Sequence, residues 1–324
     1  MQSQQQNRIK FKTTQDWHNF LSKSAGEITA NAIQKFRQDC YKDIEQHRKH
    51  PLLVYATKLF DVPQGIPNFI DFPDVDGFTD LVNSVKDRKA VDVLLHSPGG
   101  RPDATERLVE LLRNHFEEVN FLIPHSAYSA ATMLALSGDS IILHSSAVLG
   151  PIDPQINGIP ARAIKRSFEK IKEKLNKEGS EALLPYIPLI EKYSLELLEL
   201  CEDSEKLSTE LVTDWLKKYM FKKEKNADKK IQEVVKYFSN YDKHLIHTRP
   251  LSMKKLSKLE LNIKPADKTL QDLMWEAYIL INGFFSISSF VKIYENTKGI
   301  SWGKQFQQVL VNQGIPQRPQ KQPK

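Results

Sequence analysis

The chain has 324 residues, of which 40% are hydrophobic and 27% charged, the composition of an ordinary soluble globular protein with one large domain or two modest ones. Its two cysteines, Cys40 and Cys201, lie far apart without a CxxC spacing. This argues against a disulfide framework or a zinc site and fits a reducing compartment.

The net charge of +6 is concentrated in one run, KKYMFKKEKNADKK, at residues 217–230. No RNA- or DNA-binding module accompanies it, so a solvated helix end is favoured over a nucleic-acid surface. The amino terminus lacks the apolar core of a signal peptide, and the most apolar stretch, 277–290, is too short to span a membrane. We therefore expect a cytoplasmic protein with no membrane partner.

Short apolar stretches alternate with helical patterns in the first half of the chain. After a polar, helical segment at 1–50, the order is a strand (51–59), a loop entering a helix (71–87), a strand (90–97), an amphipathic helix (103–119), a strand (120–125), a small-residue helix (129–139) and a strand (140–145). This order predicts a parallel or mixed sheet with helical crossovers, and so an α/β core at 51–160.

The second half is dominated by helical patterns. Residues 161–245 are rich in Lys, Glu and Leu and predict a charged helical insertion or subdomain. The C-terminal part, 246–312, is predicted to contain a connector with a short helix (247–263) and an amphipathic helical stretch (268–297). The first ten residues or so and the tail, 313–324, are rich in Gln, Lys and Pro and are predicted to be disordered.

Ser129 lies at the connection between the predicted strand 120–125 and the small-residue helix. Helix N-termini carry unpaired N–H groups and a positive dipole end, which stabilise an oxyanion. The loop SPGG at 97–100 ends the preceding strand, and its glycines permit a sharp turn. We expect the Gly99–Gly100 loop and the N–H of Ala130 to form an oxyanion hole beside Ser129. From the residues alone, tight packing of the helix on the sheet also explains the small side chains, and Ser126 and Ser137 are competing serines.

Four motifs in order, HSPGG, an ATE helix, SAATMLAL and GPIDPQ, resemble the ClpP/crotonase superfamily. More narrowly, they are similar to the serine dehydrogenase proteinase family of ClpP-related peptidases. The resemblance covers about 51–155 and returns faintly at HTRPLS. It implies a ClpP/crotonase-like core of repeated strand–helix units and a homo-oligomeric enzyme that acts on peptides or proteins.

The resemblance also implies a triad in the order Ser, Asp, His. Ser129 is then the nucleophile, Asp153 the orienting carboxylate and His247 the general base, with His244 as its rival. A hydroxyl needs a base to remove its proton, and a carboxylate fixes the imidazole tautomer. An alternative to the catalytic role is that Asp153 only accepts hydrogen bonds from backbone N–H groups in a rigid turn of the GPIDPQ segment. The chain departs from the family pattern at Ala131, where glycine is commoner.

Other interpretations remain open at this point. Related enzymes use a Ser–Lys dyad, for which Lys165 and Lys170 are candidates, although their segment is typical of a solvated helix face. His96 and His125 flank the SPGG loop and Ser129, so each is a candidate either to line the pocket or to hydrogen-bond a backbone group at a strand end. A catalytically silent scaffold and an acyl-thioester enzyme are alternatives to an ATP-independent serine peptidase. No G-x-G-x-x-G or P-loop is present, and we expect neither a cofactor nor a metal.

Overall fold

The centre of the protein is a seven-stranded sheet, in the order β10 (Ile263–Pro265), β5 (Ser140–Leu143), β3 (Glu118–Ile123), β2 (Ala90–His96), β1 (Leu52–Thr57), β11 (Phe290–Asn296) and β12 (Ser301–Gln305). The computed structural model describes residues 8–24, 30–63, 65–194 and 196–306. Strands β1, β2, β3, β5 and β10 run parallel to one another, and β11 and β12 are antiparallel additions at one edge. The inner strands are buried along nearly their whole length, because helices cover both faces of a parallel sheet.

The described strands have these bounds: β1 Leu52–Thr57, β2 Ala90–His96, β3 Glu118–Ile123, β4 Ser126–Ala127, β5 Ser140–Leu143, β6 Val148–Leu149, β7 Gln155–Ile156, β8 Ile159–Pro160, β9 Leu251–Ser252, β10 Ile263–Pro265, β11 Phe290–Asn296 and β12 Ser301–Gln305. The described helices are α1 Thr14–Lys23, α2 Ala30–Arg48, α3 Asp74–Asn83, α4 Pro102–His115, α5 Ala130–Leu136, α6 Ala161–Glu178, α7 Ile187–Ile190, α8 Glu196–Trp215, α9 Asp228–Ser239, α10 Tyr241–His244, α11 Met253–Leu256 and α12 Lys268–Ser286.

The two faces of the sheet bury separate apolar cores. Alternate strand residues such as Leu53 and Val93 pack under α3, α4, α5, α8 and α9. Their neighbours, such as Val54 and Leu94, pack under α1, α2 and α12. The α/β class predicted from the sequence is therefore confirmed. The carboxyl ends of the parallel strands meet at one edge, where loops can gather functional groups.

The predicted helical stretch at 268–297 is wrong in its last part. Helix α12 ends at Ser286, and Phe290–Asn296 form strand β11, antiparallel to β1. The polar residues of this segment are buried by distant partners: the Lys292 ammonium lies 2.8 Å from Asp74, and Glu295 binds Arg37 at 2.7 Å. Because these partners hide the charges from water, the segment does not show the pattern of an ordinary half-buried strand.

The described residues of 161–245 are mostly helical, as the sequence predicts, and α8 packs next to α4 and α5. The lysines of 217–230 are largely engaged in ion pairs, for example Lys217 with Asp228 at 2.9 Å and Lys222 with Asp139 at 2.6 Å. No helix in the described ranges is both long and apolar enough to cross a bilayer. The tail 313–324 and the first seven residues lie outside the described residues, so their predicted disorder stays a prediction, as do the domain boundaries.

Candidate functional site

Ser129 occupies a strained turn between β4 and α5. Its backbone has φ 50° and ψ −124°, a conformation that costs a non-glycine residue of the order of 1–3 kcal/mol. The turn is held on both sides, since the Tyr128 N–H donates to the Ser97 carbonyl at 3.1 Å and the Ala131 N–H to the Tyr128 carbonyl at 2.9 Å. Strain of this kind persists at functional sites, and here it puts the serine directly before the first turn of a helix.

The SPGG loop packs directly against this turn. Gly99 has φ +99°, and a Cβ built on it would lie 2.7 Å from the Ser129 Cβ and 2.9 Å from the Ala130 nitrogen. On the other side of the loop, the Ile70 N–H donates to the Gly99 carbonyl at 2.7 Å and the Arg101 N–H to the Ile70 carbonyl at 2.9 Å. This pairing directs the N–H of Gly100 away from Ile70. That N–H and the Ala130 N–H have no acceptor among the described residues, so both are free to bind an oxyanion.

A cavity of about 980 Å³ opens above the serine. Ser129 and His247 both line it, together with Gly99 and Gly100. The lining also includes apolar residues, namely Phe69, Met133, Ile152, Leu200 and Leu207, and polar or charged ones, namely Arg101, Asp103, Gln155, Asn157, Ser204 and Ser208. The cavity thus combines the predicted nucleophile, base and oxyanion loop with a wall of mixed polarity.

Asp153 lies behind His247, away from the cavity. Its carboxylate is buried, and one oxygen lies 3.1 Å from the His247 Nδ1. The ring N–H is not aligned with that oxygen as in a regular hydrogen bond, and neither carboxylate oxygen has another hydrogen-bond partner in the described parts of the chain. An unpartnered buried carboxylate is costly, and a rotation of the imidazole that aligns the N–H relieves that cost.

Thr132 joins the serine turn to the Asp153 segment. Its buried hydroxyl donates to the Ala127 carbonyl at 2.7 Å and accepts the Gly150 N–H at 3.0 Å. The role of Thr132 is not predicted from the sequence, where the available signal is a hydroxyl inside an otherwise apolar, fully buried helix. The Ile152 N–H also donates to the Phe238 carbonyl at 3.0 Å, which fixes the same segment to the end of α9.

The rival base His244 does not line the cavity of Ser129. It is buried, its Nε2 lies 2.6 Å from the Tyr237 carbonyl, and it borders a different, smaller cavity. Burial lowers the pKa of this imidazole. His244 therefore fastens the segment that carries His247 to α9.

The two lysines proposed for a dyad lie elsewhere. Lys165 binds Glu205 at 3.0 Å in a neighbouring cavity, and this hydrogen bond raises the pKa of its ammonium, the opposite of what a general base needs. Lys170 is exposed on α6. Neither side chain lines the cavity of Ser129.

His96 and His125, which flank the SPGG loop and the turn of Ser129, pack against α12 on the opposite face of the sheet. The His125 ring stacks on Tyr278 of α12 at 4.4 Å, and its Nδ1 lies 2.7 Å from the Ser126 Oγ. His96 packs edge-on against both rings. Ser126 is thereby engaged away from the cavity, and the Ser137 hydroxyl donates to the Leu134 carbonyl at 2.7 Å. Among the predicted candidates, Ser129, Gly99, Gly100 and His247 share one cavity.

Comparisons with known proteins find relatives and structural neighbours. Two uncharacterized proteins of Methanocaldococcus jannaschii are similar to the chain. MJ1495 is 27% identical over 232 residues (70% of this chain and 71% of that protein), and MJ0137 is 28% identical over 151 residues (45% and 52%). Among solved structures, a ClpP1 mutant from Listeria monocytogenes aligns with TM-score 0.37 and 10% identity over 70% of this chain and 99% of that chain. A mutant of the membrane-bound stomatin-specific protease 1510-N aligns with TM-score 0.26 and 24% identity over 39% and 68%.

The family model described as ClpP-like SDH-type serine proteinase matches residues 20–278, which include both loops, the Asp153 segment and His247. The match spans most of the chain, and it agrees with the four motifs and the strand–helix core found above. The chain belongs to the ClpP-like SDH-type serine proteinase family.

Proposed function

We propose that the protein is an ATP-independent serine endopeptidase that cleaves peptide bonds through an acyl-enzyme on Ser129. One observation carries the proposal: Ser129 and His247 line the same cavity, and His247 lies 3.1 Å from a buried carboxylate, Asp153, that has no other partner in the described chain. A nucleophile, a base and an orienting carboxylate in that order are the parts of a hydrolytic triad.

In this mechanism the His247 Nδ1–H points to Asp153, which leaves the Nε2 lone pair to take the proton of the Ser129 hydroxyl. The oxygen attacks the peptide carbonyl, and the oxyanion accepts hydrogen bonds from the N–H groups of Gly100 and Ala130. His247 then gives its proton to the leaving amine. Water, activated by the same imidazole, hydrolyses the acyl-enzyme and restores the serine.

The substrate is a peptide or protein segment, because a cavity of about 980 Å³ exceeds the space needed by one side chain. Leucines 200 and 207 lie on one face of α8 and, with Met133, offer apolar surface to the residues next to the scissile bond. We further propose that the enzyme works as a homo-oligomer, as the sequence resemblance implies, and in the cytoplasm, as its cysteine usage indicates.

The test is labelling of the purified protein with a fluorophosphonate probe, read by intact mass. We expect one adduct on the native protein, none on Ser129→Ala, and normal labelling of Ser126→Ala, whose hydroxyl faces His125. His247→Ala is expected to slow labelling strongly. Native protein that acquires no adduct, or Ser129→Ala that still acquires one, contradicts the proposal and favours the scaffold interpretation.

A further inference from the structure

A second cavity, smaller and strongly basic, lies behind the segment that carries the candidate base. Its volume is about 270 Å³, and it is bounded by α9, α10, α11 and the loop before β9. The lining residues are Tyr237, Lys243, His244, Arg249, Leu251, Lys255 and Lys258. Four of these seven carry a permanent positive charge, and no carboxylate lines this basic cavity.

The four cations have no acidic partner in the described ranges. The Lys243 ammonium lies 4.4 Å from the centre of the Tyr237 ring, and Lys255 donates to the Pro250 carbonyl at 2.8 Å. Arg249 and Lys258 form no ion pair in the part of the chain that the structure describes, and Glu260, two residues after Lys258, is bound to Lys230 at 2.7 Å. These like charges repel one another, because no carboxylate of the described residues lines the cavity to offset them. An anion bound between them would replace this repulsion by attraction.

The neighbouring polar cavity, which contains Lys165, provides an internal contrast. There Arg162 binds Asp242 at 2.9 Å and Lys165 binds Glu205 at 3.0 Å, so the cations are neutralised by the protein itself. The floor of the basic cavity is buried, because His244 and Leu251, which form it, are 4% and 1% exposed. It is thus a concave site with converging charges and not a flat solvated face.

We propose that this basic cavity binds a small anion that carries a diphosphate group. A guanidinium forms paired hydrogen bonds to phosphate oxygens, and the three ammonium groups supply point charges around it. With a volume of about 270 Å³, the cavity has room for a small polyanion such as pyrophosphate. A monocarboxylate would leave most of the positive charge unmatched. The proposal does not rest on peptide hydrolysis, since these groups do not face Ser129.

Isothermal titration of the full-length protein with pyrophosphate tests the site. We expect saturable binding with one site per chain, weakened at least tenfold in Arg249→Gln and independently in Lys258→Gln, and weakened further by added salt. Both side chains are exposed, so their loss leaves the fold intact. Lys86→Gln is the matched control, because it removes one exposed lysine that follows α3 and does not line the basic cavity.

A parallel titration with adenosine diphosphate separates a free diphosphate from one carried on a nucleoside. Tighter binding of the nucleotide identifies a nucleoside diphosphate as the ligand, and equal or weaker binding identifies the free anion. The proposal is overturned by the absence of saturable heat with both probes, or by affinities that Arg249→Gln and Lys258→Gln leave at the level of Lys86→Gln.

Discussion

Replacing Gly99 by alanine is expected to slow the reaction of Ser129 by about 100-fold while the protein remains folded. The added Cβ would lie 2.4 Å from the Tyr128 carbonyl oxygen and 2.7 Å from the Ser129 Cβ. The second contact is about 0.7 Å shorter than ordinary van der Waals contact, so the loop and the serine turn must move apart by roughly that distance. A displacement approaching 1 Å at a reacting group costs on the order of 100-fold in rate.

Gly179→Ala is the matched control for this change. Gly179 also has a positive φ, +83°, but an added Cβ there has no neighbour within 4 Å. Both variants therefore carry a similar backbone strain of about 1–3 kcal/mol, and Gly99→Ala alone adds the clash. Thermal unfolding measures the shared cost, and the rate of fluorophosphonate labelling measures the local displacement.

We expect Gly99→Ala to label about 100-fold more slowly than the native protein and Gly179→Ala to label at the native rate. Equal labelling of the two variants would show that the close packing of the SPGG loop on the serine turn does not shape the reactive geometry. Loss of labelling in both would assign the effect to general destabilisation.

Three further predictions concern buried polar groups. Thr132→Val removes the hydroxyl that joins the turn of Ser129 to Gly150, so we expect the free energy of unfolding to fall by about 1–3 kcal/mol. Fluorophosphonate labelling should be slower at unchanged probe affinity, and Thr132→Ser should restore both properties. Asp153→Asn leaves the imidazole free to take the wrong tautomer, so peptide hydrolysis should fall by at least 100-fold with native thermal stability; native turnover would exclude the orienting role. Burial lowers the pKa of His96 to about 3, so between about pH 6.5 and 3 the unfolded chain binds more protons than the folded one. The free energy of unfolding, measured by urea titration, should therefore fall by up to about 1.4 kcal/mol per pH unit as the pH is lowered through this range. His96→Gln should flatten that dependence, and a slope identical to the native one would contradict it.

The sequence by itself determined the elements whose signals are local. The alternation of apolar strands and amphipathic helices at 90–145 is a property of neighbouring residues, and it predicted the parallel sheet and its crossovers. The position of Ser129 between a strand and a helix and the paired glycines of the SPGG loop are local in the same way. That the loop and the serine turn lie against each other follows from parallel strands, whose carboxyl ends share one edge.

Only the tertiary structure decided which distant groups meet. The convergence of His247 with Asp153, and the different position of His244, depend on how the helices α8 to α10 pack, which no local pattern encodes. The sequence predicts helix at β11 because the charges of this strand are matched, and so buried, only by Asp74 and Arg37 from far along the chain. Burial and pairing are properties of the folded surroundings, so a polar residue in a sequence reveals its role only when its partner is known.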